Sequence, residues 1–301
     1  MNPALKMAIA ALTSIGMLGA SGAEARPDLA PFLFGAAADD LPDGRDRLPA
    51  LEAELGRPVD IASTYVDWSY VFPGPNEKWM AVGGKRKVLL SWEPWGIRFS
   101  DVTAHRRDAY LEKVANAMRA YPFDLYVRPW PEMNGNWSTW QPTPDGAKKE
   151  GGTPAEFVAA WRYVVSFFHD RGVRNLKFIF NVDASGGRSD TPVPGIWPGS
   201  AYVDVLGIDG FNWGGGDWRP FEEIFAGMYA TVTRLDPNLP VWIAEFGCAP
   251  GAQRPAWLAE TMTTRAFPRL RAVVYFDVKS HRDWRLDASA RQSIRSHLRA
   301  S

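Results

Sequence analysis

Leu125-Tyr-Val-Arg-Pro129, then Trp130-Pro-Glu132-Met-Asn134-Gly-Asn-Trp137, then Thr153-Pro-Ala-Glu156 read as one unit of strand, loop and capped helix. The first stretch is a β-prone apolar run too short for a helix. The last is a capping box with proline at the first helical position. Behind it Phe157, Trp161, Val164, Val165 and Phe168 recur at helical spacing, and Gly172 can end the helix. Outward from this unit the same order repeats. The β-rich runs are Phe32–Ala36, Val59–Tyr65, Lys87–Trp92, Leu125–Pro129, Leu176–Asn181, Val203–Ile208, Val241–Glu245 and Ala272–Phe276. Leu111, Val114 and Met118 mark one further helix, and Phe221, Ile224, Phe225, Met228, Tyr229 and Val232 another. Eight runs alternating with helices predict an α/β chain folded as a single (β/α)8 TIM barrel. An open doubly wound sheet usually carries a glycine-rich phosphate loop after its first strand, and Ala36-Ala-Ala-Asp39 is not one.

Lys6 followed by the apolar run Met7–Leu18 and small residues up to Ala25 has the pattern of a signal peptide, too short to span a membrane. The expected division is a leader over 1–25 and a barrel domain over 26–301, which makes the protein secreted or periplasmic. Lys plus Arg and Asp plus Glu both number 34, so no basic surplus exists to hold a phosphate backbone, and nucleic acid is not an expected partner. A single cysteine, Cys248, excludes an intrachain disulfide and reads as a buried structural thiol. His105, His169 and His297 fall on predicted helices, while His281 follows the eighth run. No metal-ligand spacing occurs, and no metal or cofactor is expected.

In such a barrel the active site forms at the C-terminal ends of the strands. The fourth run delivers Arg128 and Glu132, and the seventh delivers Glu245, on opposite sides of the barrel. Two facing carboxylates suit glycosidic bond cleavage, where one donates a proton and the other attacks the anomeric carbon. Their proton affinities must be driven apart by a cation beside one and a drier setting for the other. Arg128 can supply the cation and Trp137 part of the dry wall. The two glutamates could also be salt-bridge partners on the rim, but their strands and aromatic surroundings favour catalysis. The chain has 14 tryptophans. Trp92, Trp95, Trp213 and Trp218 sit near strand ends where sugar rings could stack, and the loop over 135–152 reads as a binding wall. Glu93 suits sugar hydroxyls or a hydrogen bond to its neighbouring loop.

The segment Arg128-Pro-Trp-Pro-Glu132-Met-Asn-Gly-Asn-Trp137 resembles the acid/base motif of glycoside hydrolase family 26. The likeness extends through Trp92-Glu93-Pro94, Gly207-Ile-Asp209-Gly-Phe211-Asn212, Glu245-Phe-Gly247 and Asp283-Trp284-Arg285. That family holds β-mannanases and relatives acting on mixed-linkage β-glucan or β-1,3-xylan, with a retaining mechanism. The resemblance implies Glu132 as acid/base and Glu245 as nucleophile. It also implies Trp137 as a subsite wall, Asp209 as a contact to sugar hydroxyls or an orienting group, and Trp284 and Arg285 on the glycone side. Two positions depart from it. Pro131 stands where the family usually has His, and Phe211 where it usually has Tyr on the sixth strand, near the nucleophile.

The expected function is a secreted, monomeric, retaining endo-β-glycanase acting on β-mannan, β-glucan or a related exopolysaccharide. The alternative is a polysaccharide-binding protein on the same barrel that has lost turnover.

Overall fold

The computed structural model describes residues 30–38, 47–146, 151–185 and 191–298, so the expected leader lies outside the described residues. Eight parallel strands close into a barrel in sequence order: β1 (Leu33–Ala38), β2 (Ile61–Asp67), β3 (Lys87–Glu93), β4 (Leu125–Pro129), β5 (Leu176–Asp183), β6 (Val205–Asn212), β7 (Val241–Cys248) and β8 (Leu270–Asp277). Around them lie α1 (Arg47–Leu55), α2 (Pro75–Ala81), α3 (Phe99–Thr103), α4 (Asp108–Arg119), α5 (Pro154–Asp170), α6 (Phe221–Leu235), α7 (Arg254–Thr263) and α8 (Ala288–His297). The barrel expected from the sequence is thus present, with a strand in every predicted run.

The capping box forms as read. Thr153 N donates to Glu156 Oε2 at 2.7 Å, and Glu156 N donates to Thr153 Oγ1 at 3.3 Å. Gly172 (φ 75°) follows the end of α5 in the left-handed region that favours glycine. Two local expectations fail. Between β5 and β6 the described residues carry 3-10 turns at Val193–Ile196 and Ser200–Tyr202 instead of an α-helix. Pro192, Pro194 and Pro198 remove the amide donors that a regular helix there would need. His105, expected on a helix, sits in the turn between α3 and α4 at φ 65°.

The core has two shells. Ile61, Leu89, Ile179, Val205, Trp242, Ala244, Ala272 and Val274, with Leu33 and Tyr126 packed against them, draw on all eight strands and fill the barrel interior. The larger cluster lies between strands and helices and includes Val88, Leu90 and Trp92 from β3. Because side chains alternate along a strand, the inner shell sets the parity of what stands above it. From Ile61, Leu89, Tyr126, Ile179, Val205 and Val274 it carries Tyr65, Glu93, Arg128, Asp183, Asp209 and Phe276 to the inner face.

β7 breaks that parity. Ile208 pairs with Ile243 but Asp209 pairs with Glu245, so Ala244 is an extra residue in the ladder. The pairing with β8 also shifts between Ile243 and Phe246. Ala244 faces inward and Phe246 faces the helices, its ring 5.8 Å from that of Phe221 and 6.1 Å from that of Trp257. The bulge lets Glu245 face the barrel axis directly after Ala244 does, which a regular strand forbids.

Candidate active site

Above the inner shell, Glu132, Asp209 and Glu245 bring one carboxylate oxygen each to within 4.8 Å of one another. Glu132 is carried by the turn after β4, in which Trp130 (φ 50°) and Glu132 (φ 52°) both adopt left-handed backbone. Neither is glycine, so this turn costs about 1–3 kcal/mol per residue and must be held by its surroundings. Glu132 N donates to Asn181 O at 3.1 Å, and Gly135 N donates to Glu132 O at 2.8 Å. Asn134 fastens the turn to β5, donating through Nδ2 to Asp183 O at 3.0 Å and accepting from Asp183 N at 2.7 Å. The ring of Trp130 is buried beneath.

Arg128, 1% exposed, joins the other two acids. Its Nη1 donates to Asp209 Oδ2 and its Nη2 to Glu245 Oε2. Asn181 Nδ2 also donates to Asp209 Oδ2, at 2.7 Å. Gly207 makes room for that contact, since a Cβ there would lie 2.6 Å from Asn181 Oδ1. Glu245 Oε2 receives a further donor, the Tyr65 hydroxyl at 2.7 Å. The guanidinium and the phenol thus both serve one oxygen of Glu245, an arrangement suited to a carboxylate.

Glu132 stands in the opposite setting. Its one described side-chain donor is Trp137 Nε1. Burial, first, and then the negative charges of Asp209, Asp183 and Glu245 push its carboxyl well above the usual range. Asp209 is also raised by its burial, against the opposing pull of Arg128. The site therefore holds one proton-retaining acid beside one ion-paired carboxylate.

The cleft over these groups has a volume of about 550 Å³. Trp137, 48% exposed, walls one side, backed by Trp95 and the buried Trp140 at ring distances of 6.1 and 5.3 Å. Trp213, 41% exposed, walls the other, stacked on His281 at 5.5 Å with the buried Trp284 beneath. Phe211 and Phe276 complete an apolar floor.

Of the residues singled out in the sequence, Glu132, Trp137, Asp209, Trp213, Glu245 and Trp284 line the cleft, and Arg128 lies directly under it. Five stand elsewhere, two of them Trp95, behind Trp137, and the half-buried Trp218, which packs against the core. Trp92 is fully buried on the helix side of β3, stacked 4.5 Å from Trp68 and bonded to Tyr110 Oη, so it packs the core and cannot stack on a sugar. Glu93 accepts from Trp95 Nε1 at 2.9 Å, the loop contact that was its alternative reading. Arg285 turns to Asp283, donating from Nη2 at 2.6 Å, and is not part of the cleft lining. Cys248 is a free, buried thiol. Tyr65 was missed, although its place on the inner face at the end of the second run could have drawn attention.

Comparison with known proteins agrees with this geometry. Over 243 residues the chain is 32% identical to Endoglucanase H of Acetivibrio thermocellus, covering 78% of this chain and 26% of that protein. It is 27% identical over 161 residues to mannan endo-1,4-β-mannosidase A and B of Caldalkalibacillus mannanilyticus, covering 50% of this chain and 28% of that one. The chain thus spans about a quarter of the length of these curated relatives. In fold it is similar to the family 26 domain of an endo-β-mannanase/endo-β-glucanase from Prevotella bryantii, with TM-score 0.62, 14% identity and coverage of 87% and 88%. A β-mannanase from Bacteroides ovatus gives 0.60, at 16% identity and coverage of 89% and 83%. The family model for glycosyl hydrolase family 26 matches residues 101–297, which contain both facing glutamates, and the chain belongs to that family.

Proposed function

We propose that the protein is a retaining endo-β-glycanase that hydrolyses a β-linked polysaccharide such as β-mannan, β-glucan or a related exopolysaccharide. One observation carries the reading: the Glu132 and Glu245 carboxylates approach within 4.8 Å, with Arg128 on the second and burial acting on the first. Retaining enzymes hold their two carboxyls roughly 5 Å apart, whereas inverting enzymes need room for a water between them. In the first step Glu132 donates its proton to the glycosidic oxygen as the bond from that oxygen to the anomeric carbon breaks. Glu245 forms a bond to the same carbon. Its Oε2 is engaged by Arg128 and Tyr65, so Oε1 is the attacking atom. In the second step Glu132, now ionised, takes a proton from water. The oxygen of that water replaces Glu245 at the anomeric carbon. Trp137 and Trp213 offer exposed faces on either side, as expected for a site that binds sugar rings by stacking. The similarity to Endoglucanase H and to mannan-cutting relatives supports a β-linked hexose polymer.

The same reading takes the exported form to begin after Ala25, which sequencing of the mature N-terminus would test. The central test is product release from soluble β-mannan, mixed-linkage β-glucan, xylan and bacterial exopolysaccharides, for the wild type and Glu245→Ala. Cleavage of one polymer, lost by at least about a thousandfold in the variant, is expected for removal of a nucleophile. Binding without cleavage by the wild type would replace the hydrolase reading with that of a binding protein.

A further inference from the structure

We infer that Tyr65 positions the nucleophile, supplying from β2 the hydroxyl that the family pattern places on β6. The inference rests on Glu245 acting as described above. Position 211 is Phe and has no donor, yet Glu245 is not short of one. Tyr65, three strands away around the barrel, donates to Oε2 at 2.7 Å. Arg128 reaches the same oxygen from β4, with its guanidinium carbon 5.7 Å from the Tyr65 ring centre. Two donors from different strands fix one oxygen of the carboxylate and leave Oε1 toward the anomeric carbon.

The ring that carries this hydroxyl is itself held. Phe276 stands edge-on between the two aromatic residues, 6.1 Å and 89° from Tyr65 and 5.7 Å and 89° from Phe211. Tyr65 and Phe211 therefore flank the same phenylalanine, one with a hydroxyl and one without. The charged and titratable groups facing this pair are Glu93 from β3, Arg128 from β4, Asp209 from β6, and Glu132 from the turn after β4. Burial, and then the Glu245 charge, push the Tyr65 phenol well above its usual range, so it stays a protonated donor at neutral pH. Moving the donor from β6 to β2 also leaves the β6 side of the cleft floor apolar.

The test is Tyr65→Phe, which keeps the ring and its edge contact and removes only the hydroxyl. Hydrolysis of barley mixed-linkage β-glucan and carob galactomannan is measured across pH, with the melting temperature as a check on folding. Loss of a hydrogen bond to a charged group predicts a fall of about 10- to 100-fold in kcat/KM. The fall should lie mainly in kcat. Unchanged kcat and kcat/KM in a folded variant would overturn the inference. A second readout needs no substrate: the 13C shift of the Glu245 side-chain carboxyl, assigned with Glu245→Gln. It should change in Tyr65→Phe, and a constant shift overturns the inference. If the wild type cleaves no polymer, the hydrolase reading fails, while the carboxyl shift still decides whether Tyr65 holds Glu245.

Discussion

At the residue scale, the site rests on three acids that cannot all be ionised together at such close quarters. Arg128 neutralises part of the charge around Asp209 and Glu245, which leaves Glu132 to keep a proton. The sign of the coupling gives a prediction. Asp209 is the largest charged contributor raising Glu132, so Asp209→Asn lowers the proton affinity of the acid. In its proposed role as general acid Glu132 works only while protonated, and activity is lost as pH rises through its titration. The basic limb of the kcat/KM profile should therefore move to lower pH in Asp209→Asn, and a rate profile across neutral pH would read it. Much of this was legible in the sequence. Arg128, Glu132, Asp209 and Glu245 all lie in short motifs at strand ends and meet as expected. Trp92 departs from the expectation because strand parity, and not its motif, sets its direction: Leu89 faces inward, so Trp92 must face the helices. Tyr65 was overlooked for the converse reason, since it lies in no motif and only its inward parity marks it.

At the scale of elements, the bulge in β7 is what lets Glu245 face the axis. In a regular strand that kept Ala244 facing inward, Glu245 would take the opposite face from Asp209 and point into the helix layer. Deletion of Ala244 should restore regular pairing with Glu245 still opposite Asp209, because Ile243 faces the helices and the next residue of a regular strand faces inward. What is lost is the Ala244 side chain from the inner shell, and the strand end that carries Glu245 is drawn back by one residue. A lowered melting temperature with reduced but not abolished hydrolysis is expected, and circular dichroism during heating together with the polymer assay would record both. No periodicity in Val241-Trp-Ile-Ala-Glu245 reveals the bulge, because small and apolar residues fit either face of a strand buried on both sides. The crossover between β5 and β6 shows a related limit. Its prolines were visible, but the regularity of the other units led to a helix being expected there.

At the scale of the whole molecule, the barrel was readable because seven of its eight units repeat one order of run, loop and helix. The capped α5, with its five-residue apolar stripe, anchors that reading and also anchors the acid. The ring of Trp130 lies 5.2 Å from Trp68, 6.1 Å from Phe99, 5.8 Å from Phe157 and 6.0 Å from Trp161. The left-handed turn at Trp130 and Glu132 is thus pinned to the packing between barrel and helices, where a surface loop would have been free to relax. Heat inactivation is affected directly. Loops that move independently of the core commonly fail first on warming, so that activity vanishes before the fold does. Here the turn that carries Glu132 cannot loosen without withdrawing Trp130 from its aromatic neighbours. Residual activity and near-ultraviolet circular dichroism, followed along one temperature ramp, should therefore decline together, giving an enzyme that stays fully competent up to the edge of its own melting.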